Sequence, residues 1–257
     1  MRRNDPPEPG STHVIRYPGQ LAKMFFLQPI VDAFRGPQRK PTVILLSSPI
    51  VLLAWKYYCA PEFLAAQFPT VTGDPRVAAA IGHFLGCFVL LGVVPAVVVK
   101  LLFRERLSDY GVGVGVARRT WWSLALFTPV FLAAAYGASL DPEFLAKFPI
   151  NPHAGSSPSM FAVHAVTYGL FYLGWEFYFR GFLLFGLRDS LGAVNAVLIQ
   201  TLASALLHIG SPAAESFGAV LGGLLWGALA LRNRSLLSGL GQHYLLGIAL
   251  DAFICYG

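Results

Sequence analysis

Apolar positions in this chain fall into long, nearly unbroken runs, at about 42–58, 77–102, 120–138, 160–187, 191–209, 216–231 and 235–254. Half-buried strands alternate with a period of two, and surface helices show a stripe every 3.6 residues. Runs that are apolar on every side predict helices surrounded by protein or lipid. Most of them approach or exceed the roughly 20 residues needed to cross a bilayer. The pattern predicts an all-α, polytopic helical membrane protein with about seven transmembrane helices.

Composition narrows the class further. Of 257 residues, 55% are hydrophobic and only 12% charged, where a soluble domain carries about 25% charged residues. Nothing outside the runs is long enough to bury a second core. The chain therefore divides into residues 1–40, a cytoplasmic tail, and a seven-span membrane domain over 41–257. The first 18 residues are rich in Pro, Gly and charge and lack the apolar centre of a signal peptide. Residues 19–35 are compatible with an amphipathic helix lying on the membrane surface, although Pro29 argues against it.

Positive charge orients the spans. Arg2, Arg3, Arg16, Lys23, Arg35, Arg39 and Lys40 precede the first run, Lys100 to Arg119 separate the second and third, and Arg188, Arg232 and Arg234 follow the fourth and sixth. The intervening loops hold little beyond Arg76 and Lys147. This alternation predicts a cytoplasmic amino terminus and an outside carboxyl terminus. The net charge of +6 is then a topological and lipid-surface signal, with no nucleic-acid partner implied. With no targeting extension recognised, a bacterial plasma (inner) membrane is the expected location. Cys59, Cys87 and Cys255 have neither paired nor metal-ligand spacing. One echo remains: Pro61-Glu62-Phe63-Leu64-Ala65 and Pro142-Glu143-Phe144-Leu145-Ala146 recur in the loops after the first and third runs.

Candidate chemistry lies inside the apolar runs. Glu176 and Arg180 stand one turn apart on one helix face and can pair. Ionisable groups at such depth are costly and mark function or a structural ion pair. His208, Glu215, His243 and Asp251 follow in the next spans. At 1.5 Å per residue, Glu176, Arg180 and His243 lie about 16, 10 and 12 Å above the cytoplasmic edge, and His208, Glu215 and Asp251 about 24–25 Å. Two storeys result, which ordinary helix tilts could merge into one cavity. Asp251 follows His243 by eight residues, about 80° round the helix, so the two do not readily ligate one ion. The aromatic run Phe171 to Phe179 reads as packing and lipid contact.

Buried carboxylates with imidazoles suit water-mediated amide hydrolysis, the carboxylate moving a proton and the imidazoles holding water or a developing oxyanion. No His-Glu-x-x-His spacing supports a zinc site, so no cofactor is assigned, and a divalent metal lacks support from ligand spacing. No Gly-x-Ser-x-Gly elbow appears. A carboxylate-activated water is preferred over a metal hydroxide.

These residues resemble the CPBP family, the CAAX prenyl protease 2 and bacteriocin-processing intramembrane proteases often labelled Abi. The family pattern places Glu-Glu-x-x-x-Arg on one span, Phe-x-x-x-His on the next and His-x-x-x-Asn/Asp on a later one. Trp175-Glu176-Phe177-Tyr178-Phe179-Arg180-Gly181 matches the first motif, with Trp175 at the first glutamate. Ser204 to His208 matches the second, with Ser204 at the phenylalanine. His243 matches the third, with Gly247 at the Asn/Asp. The likeness covers about residues 100–254, includes Tyr110-Gly111-Val112, and is similar to a single-glutamate branch. It implies a glutamate-dependent intramembrane endopeptidase cutting a membrane-tethered or prenylated peptide or a protein-sorting tail. In that reading Glu176 is general base, Arg180 orients it, His208 and His243 hold water or oxyanion, and Glu215 and Asp251 stand in reserve. Because Trp175 replaces the first glutamate, three alternatives stay open: Glu176 takes that role, Glu215 reaches in, or proteolysis is lost. The rivals are a non-catalytic membrane scaffold or immunity protein and, more remotely, a small transporter.

Overall fold

A computed structural model describes residues 28–68 and 73–257. Of the proposed tail, residues 1–27 lie outside the described residues; Gln28–Ala33, within the proposed surface helix, is a short helix with Pro29 in its first turn. Among those described there are no strands. Seven long helices occupy the places of the seven runs: α1 Arg39–Tyr58, α2 Pro75–Phe103, α3 Ala117–Ser139, α4 Pro158–Leu191, α5 Ala193–Leu206, α6 Ala213–Asn233 and α7 Leu237–Tyr256. By length and composition α2, α3 and α6 can each cross a bilayer. The α1 segment joins them when taken with the short helix Pro61–Gln67, bent from it by 57°. Large apolar side chains such as Leu126, Val166, Leu221 and Phe217 point outward, Phe217 at 78% exposure. In water, so many outward apolar side chains would form an adhesive surface, whereas in lipid they are at home. The molecule is an all-α polytopic membrane protein.

The helix ends follow local rules. Asp74 caps α2 by accepting from the Arg76 N–H at 2.8 Å, and Ser157 caps α4 by accepting from Met160 N–H at 3.1 Å. Arg104 and Arg234 close α2 and α6 in the left-handed conformation. Pro95 lacks the N–H that an α-turn would use, and α2 widens to five-residue turns on both sides of it, over Phe88–Val93 and Val98–Phe103. On the cytoplasmic side of the predicted topology, the loop before α3 clips the α6–α7 turn. Val116 N–H donates to the Asn233 carbonyl at 2.8 Å, and Leu236 N–H to the Gly111 carbonyl at 2.9 Å.

The centre of the bundle is α4. Every residue from Gly174 to Leu187 is buried, as befits a helix apolar all round. Gly174 sets its distance from α2: a Cβ there would meet the Cys87 carbonyl oxygen and Phe88 Cα at 2.8 Å. Small residues at such crossings let helix backbones touch in a membrane. That contact fixes α4 two residues ahead of Glu176. Both copies of the echoed segment are short helices, Pro61–Gln67 and Pro142–Lys147.

Candidate active site

Immediately after Glu176, α4 loosens into five-residue turns from Phe177 to Phe185. Such turns are rare and gather at functional sites, because they re-aim side chains on an otherwise regular helix. Arg180 lies within this stretch, and its Nη1 is 3.2 Å from Glu176 Oε1. The side chains are 2% and 1% exposed. The same oxygen meets His243 Nδ1 at 2.8 Å. A carboxylate only accepts, so Nδ1 carries the proton and Nε2 is the nitrogen left for a ligand. Among the described residues Glu176 Oε2 has no hydrogen-bond partner. It rests against Gly239, where a Cβ would come within 2.9 Å of it. A carboxylate and a guanidinium thus enter the bundle as a pair, which avoids the cost of either charge alone.

Aromatic rings fix the imidazole. Trp226 stacks on His243 at 4.3 Å and 26°, and Tyr172 meets it edge-on at 4.6 Å. Trp226 is itself held by Gln242, whose Oε1 accepts from Nε1 at 3.0 Å, while Gln242 Nε2 donates to the Ser123 carbonyl at 2.8 Å. The Arg180 guanidinium lies 5.4 Å from the Trp226 ring centre. Trp226, Gln242 and Gly239 carry no signal in the sequence that would have singled them out.

These groups face a cavity of about 1060 Å³. Arg180, His243, His208 and Glu215 line it together, so one chamber holds members of both expected storeys. His208 donates from Nδ1 to the Ser204 carbonyl at 2.8 Å, and its Nε2 is 3.9 Å from Glu215 Oε1. Glu215 also accepts from Lys147 Nζ at 2.8 Å, and the same amine reaches Ser211 Oγ at 2.6 Å. Trp175, in the first-glutamate position, is buried and meets His208 edge-on at 5.6 Å. Glu176 itself does not line the chamber; its contact with that space passes through His243 and Arg180.

Both copies of the echo reach the chamber. Pro61 and Glu62 of the first copy line it with the preceding Ala60, as do Asp141, Phe144, Lys147 and Phe148 in and beside the second. Glu143 accepts from the Ala213 N–H at 3.2 Å, so the second copy is tied to the start of α6 at both ends.

Asp251 is placed elsewhere. Its Oδ2 pairs with His164 Nε2 at 2.7 Å, the two side chains 1% and 0% exposed, and neither lines the chamber. His164 is absent from the sequence-derived candidates. A pattern does reveal it: His164, Tyr168, Tyr172, Glu176 and Arg180 repeat every four residues along α4, one continuous ridge of polar groups. Among the described residues no three His, Cys, Asp or Glu converge closely enough to hold a metal ion.

The comparisons bear on this same region. Residues 158–249 match the family model described as Rce1-like, type II CAAX prenyl endopeptidase, from the start of α4 into α7. The match takes in Glu176, Arg180, His208, Glu215 and His243 and stops short of Asp251. No curated protein and no solved structure matches the chain. Over this segment, about a third of its length, the chain is similar to the Rce1-like family of type II CAAX prenyl endopeptidases.

Proposed function

We propose that the protein is a glutamate-dependent intramembrane endopeptidase that cuts a membrane-tethered peptide or protein tail, prenylated or of the sorting-signal kind. The observation that carries this reading is the Glu176–His243 pair, with the carboxylate behind the imidazole and the imidazole at the chamber wall. Glu176 fixes the tautomer and orientation of His243 and stabilises the imidazolium that forms, the service a buried carboxylate gives a histidine base. A water in the chamber gives its proton to His243 Nε2 as its oxygen bonds to the scissile carbonyl carbon. The tetrahedral intermediate then expels the amine, which takes that proton, leaving a carboxylic acid and an amine. Arg180 holds Glu176 in the ionised form that this cycle needs, and His208 is a further donor on the wall. Glu215, tied to Lys147, belongs to the mouth, and Asp251, tied to His164, to the scaffold of α4 and α7.

The arrangement of positive charge supports a cytoplasmic amino terminus, and the plasma membrane of a bacterium is the location proposed. A non-catalytic scaffold is the second reading, favoured by the buried Trp175 where the family pattern has its first glutamate. The test compares membrane proteomes of a deletion strain carrying wild type or Glu176→Ala. A new protein terminus that appears only with wild type is the expected result and names the substrate. Identical termini with both alleles would give the site to the scaffold reading.

A further inference from the structure

Two tyrosines on the α4 ridge have hydrogen-bonding capacity that their packing does not use. Tyr168 and Tyr172 both line the chamber, and they are 4% and 5% exposed. Their hydroxyl oxygens are 3.0 Å apart. Two phenols carry two protons, and one bond between them consumes one. The second proton has no acceptor among the described residues, and a buried donor left without one is costly. The space around these hydroxyls is equally specific. Gly247, one turn beyond His243 on α7, faces the Tyr172 side chain. A Cβ at Gly247 would overlap the Tyr172 hydroxyl and come within 2.8 Å of its Cζ. At this level α7 offers no side chain, and the phenol fills the room. Its ring meets His243 edge-on with the ring centres 4.6 Å apart, so the phenol packs beside the imidazole that Glu176 orients and its hydroxyl lies one turn further along α7, at Gly247.

We propose that Tyr172, backed by Tyr168, is a catalytic hydrogen-bond donor to the scissile carbonyl oxygen. The proposal rests on the hydrolytic function above and adds to it. In the structure the Tyr172 hydroxyl donates to that of Tyr168; rotation of both hydroxyls reverses the bond, so that Tyr168 donates to Tyr172 and the Tyr172 proton turns to the chamber. As the water oxygen bonds to the carbonyl carbon, the C=O π pair moves onto oxygen and the phenol's hydrogen bond strengthens. The phenol keeps its proton throughout. On collapse the C–N bond breaks, the oxygen returns to a carbonyl, and the amine takes its proton from His243. Donors aimed at such an oxygen in a water-poor site act mainly in the transition state. The Tyr168–Tyr172 bond polarises the donor further, since linked hydrogen bonds strengthen one another.

The test uses the full chain in lipid nanodiscs and a farnesylated Cys-Val-Ile-Ala peptide bearing a fluorophore and a quencher on either side of the scissile bond. A second probe is the phosphinate analogue of that peptide, whose tetrahedral anionic oxygen stands in for the intermediate. Tyr172→Phe keeps the ring and removes only the hydroxyl. We expect kcat to fall about 10²–10³-fold with KM nearly unchanged, as when one oxyanion donor is removed. Affinity for the phosphinate should fall by the same factor while affinity for the uncleaved peptide holds. Tyr168→Phe should lose about tenfold in kcat, the loss of one supporting hydrogen bond. If wild type cleaves and Tyr172→Phe keeps its kcat and its phosphinate affinity, the donor role is overturned and hydrolysis stands. Equal losses of phosphinate and peptide affinity with a lowered unfolding midpoint would mean packing alone, again overturning it. If wild type leaves this peptide intact and the proteome comparison yields no terminus that depends on Glu176, the hydrolytic reading fails and this proposal falls with it.

Discussion

Gly239 is the most sensitive place to disturb the site without touching a polar group. An alanine there would put its Cβ 2.9 Å from Glu176 Oε2 and 3.4 Å from Trp226 Cβ. Ordinary contact begins near 3.4 Å, so the carboxylate must retreat by about 0.5 Å. It cannot do so freely, since Oε1 is held by His243 at 2.8 Å and lies 3.2 Å from Arg180. A retreat of that size stretches the histidine bond to about 3.3 Å, beyond the useful range for N–H···O. Losing part of a charge-assisted bond costs about 1.5 kcal/mol, which is roughly tenfold in rate. The expected result for Gly239→Ala is therefore about a tenfold fall in kcat/KM with stability lowered by only about 0.5 kcal/mol, because alanine favours a helix over glycine by about 1 kcal/mol and offsets most of the weakened bond. Kinetics on the confirmed substrate and unfolding in denaturant check both halves. Wild-type kcat/KM in Gly239→Ala would refute the claim that Glu176 acts from behind His243.

Four further outcomes follow from contacts already described. Arg180→Met strands a buried carboxylate and should destabilise by about 3–5 kcal/mol, with Glu176→Gln/Arg180→Met recovering most of it; a double-mutant cycle on unfolding free energy measures this. Asp251→Asn should lower stability by a similar order of magnitude through the His164 pair, while kcat/KM of the folded fraction stays near wild type; a collapse of turnover in well-folded protein would place Asp251 in the chemistry. Lys147→Met removes bonds at the chamber mouth from a partly exposed amine, so stability should change by less than about 1 kcal/mol, and a rise in KM is the signal to seek in steady-state kinetics. In a cysteine-free background, an impermeant thiol reagent added to intact cells should label Gly257→Cys and leave Gly113→Cys unlabelled.

Much of the architecture was legible because lipid imposes one rule, that backbone groups pair within the segment. Apolar runs alone thus place all seven helices, α2 at Pro75–Phe103 against an expected 77–102. The α4 motif with Glu176 and Arg180, and the later His243, were legible for a related reason, since charge is rare at such depth. Partnership was not legible. Nothing in the sequence ties Asp251 to His164, which are 87 positions apart and meet only when α4 and α7 pack. The bracing of His243 by Trp226 and the clearance supplied by Gly239 depend on helix rotation, which no run of apolar residues encodes. The echo at Glu62 and Glu143 was visible as repetition, but that residues of both copies line one chamber required the fold.

One dimension of the bundle bears on how water reaches this chemistry. Helix α5 has 14 residues, about 21 Å of rise against a hydrocarbon thickness near 30 Å. A bilayer meeting so short a wall relieves the mismatch by thinning beside it. The shortfall is about 9 Å by the same arithmetic, and it occurs at the helix that ends two residues before His208. Headgroups drawn in along that flank bring the aqueous boundary down toward the chamber. Under the proposed function, the anchor of a lipid-tethered substrate would stay among the acyl tails while the adjoining peptide bond met water at a dent in the membrane.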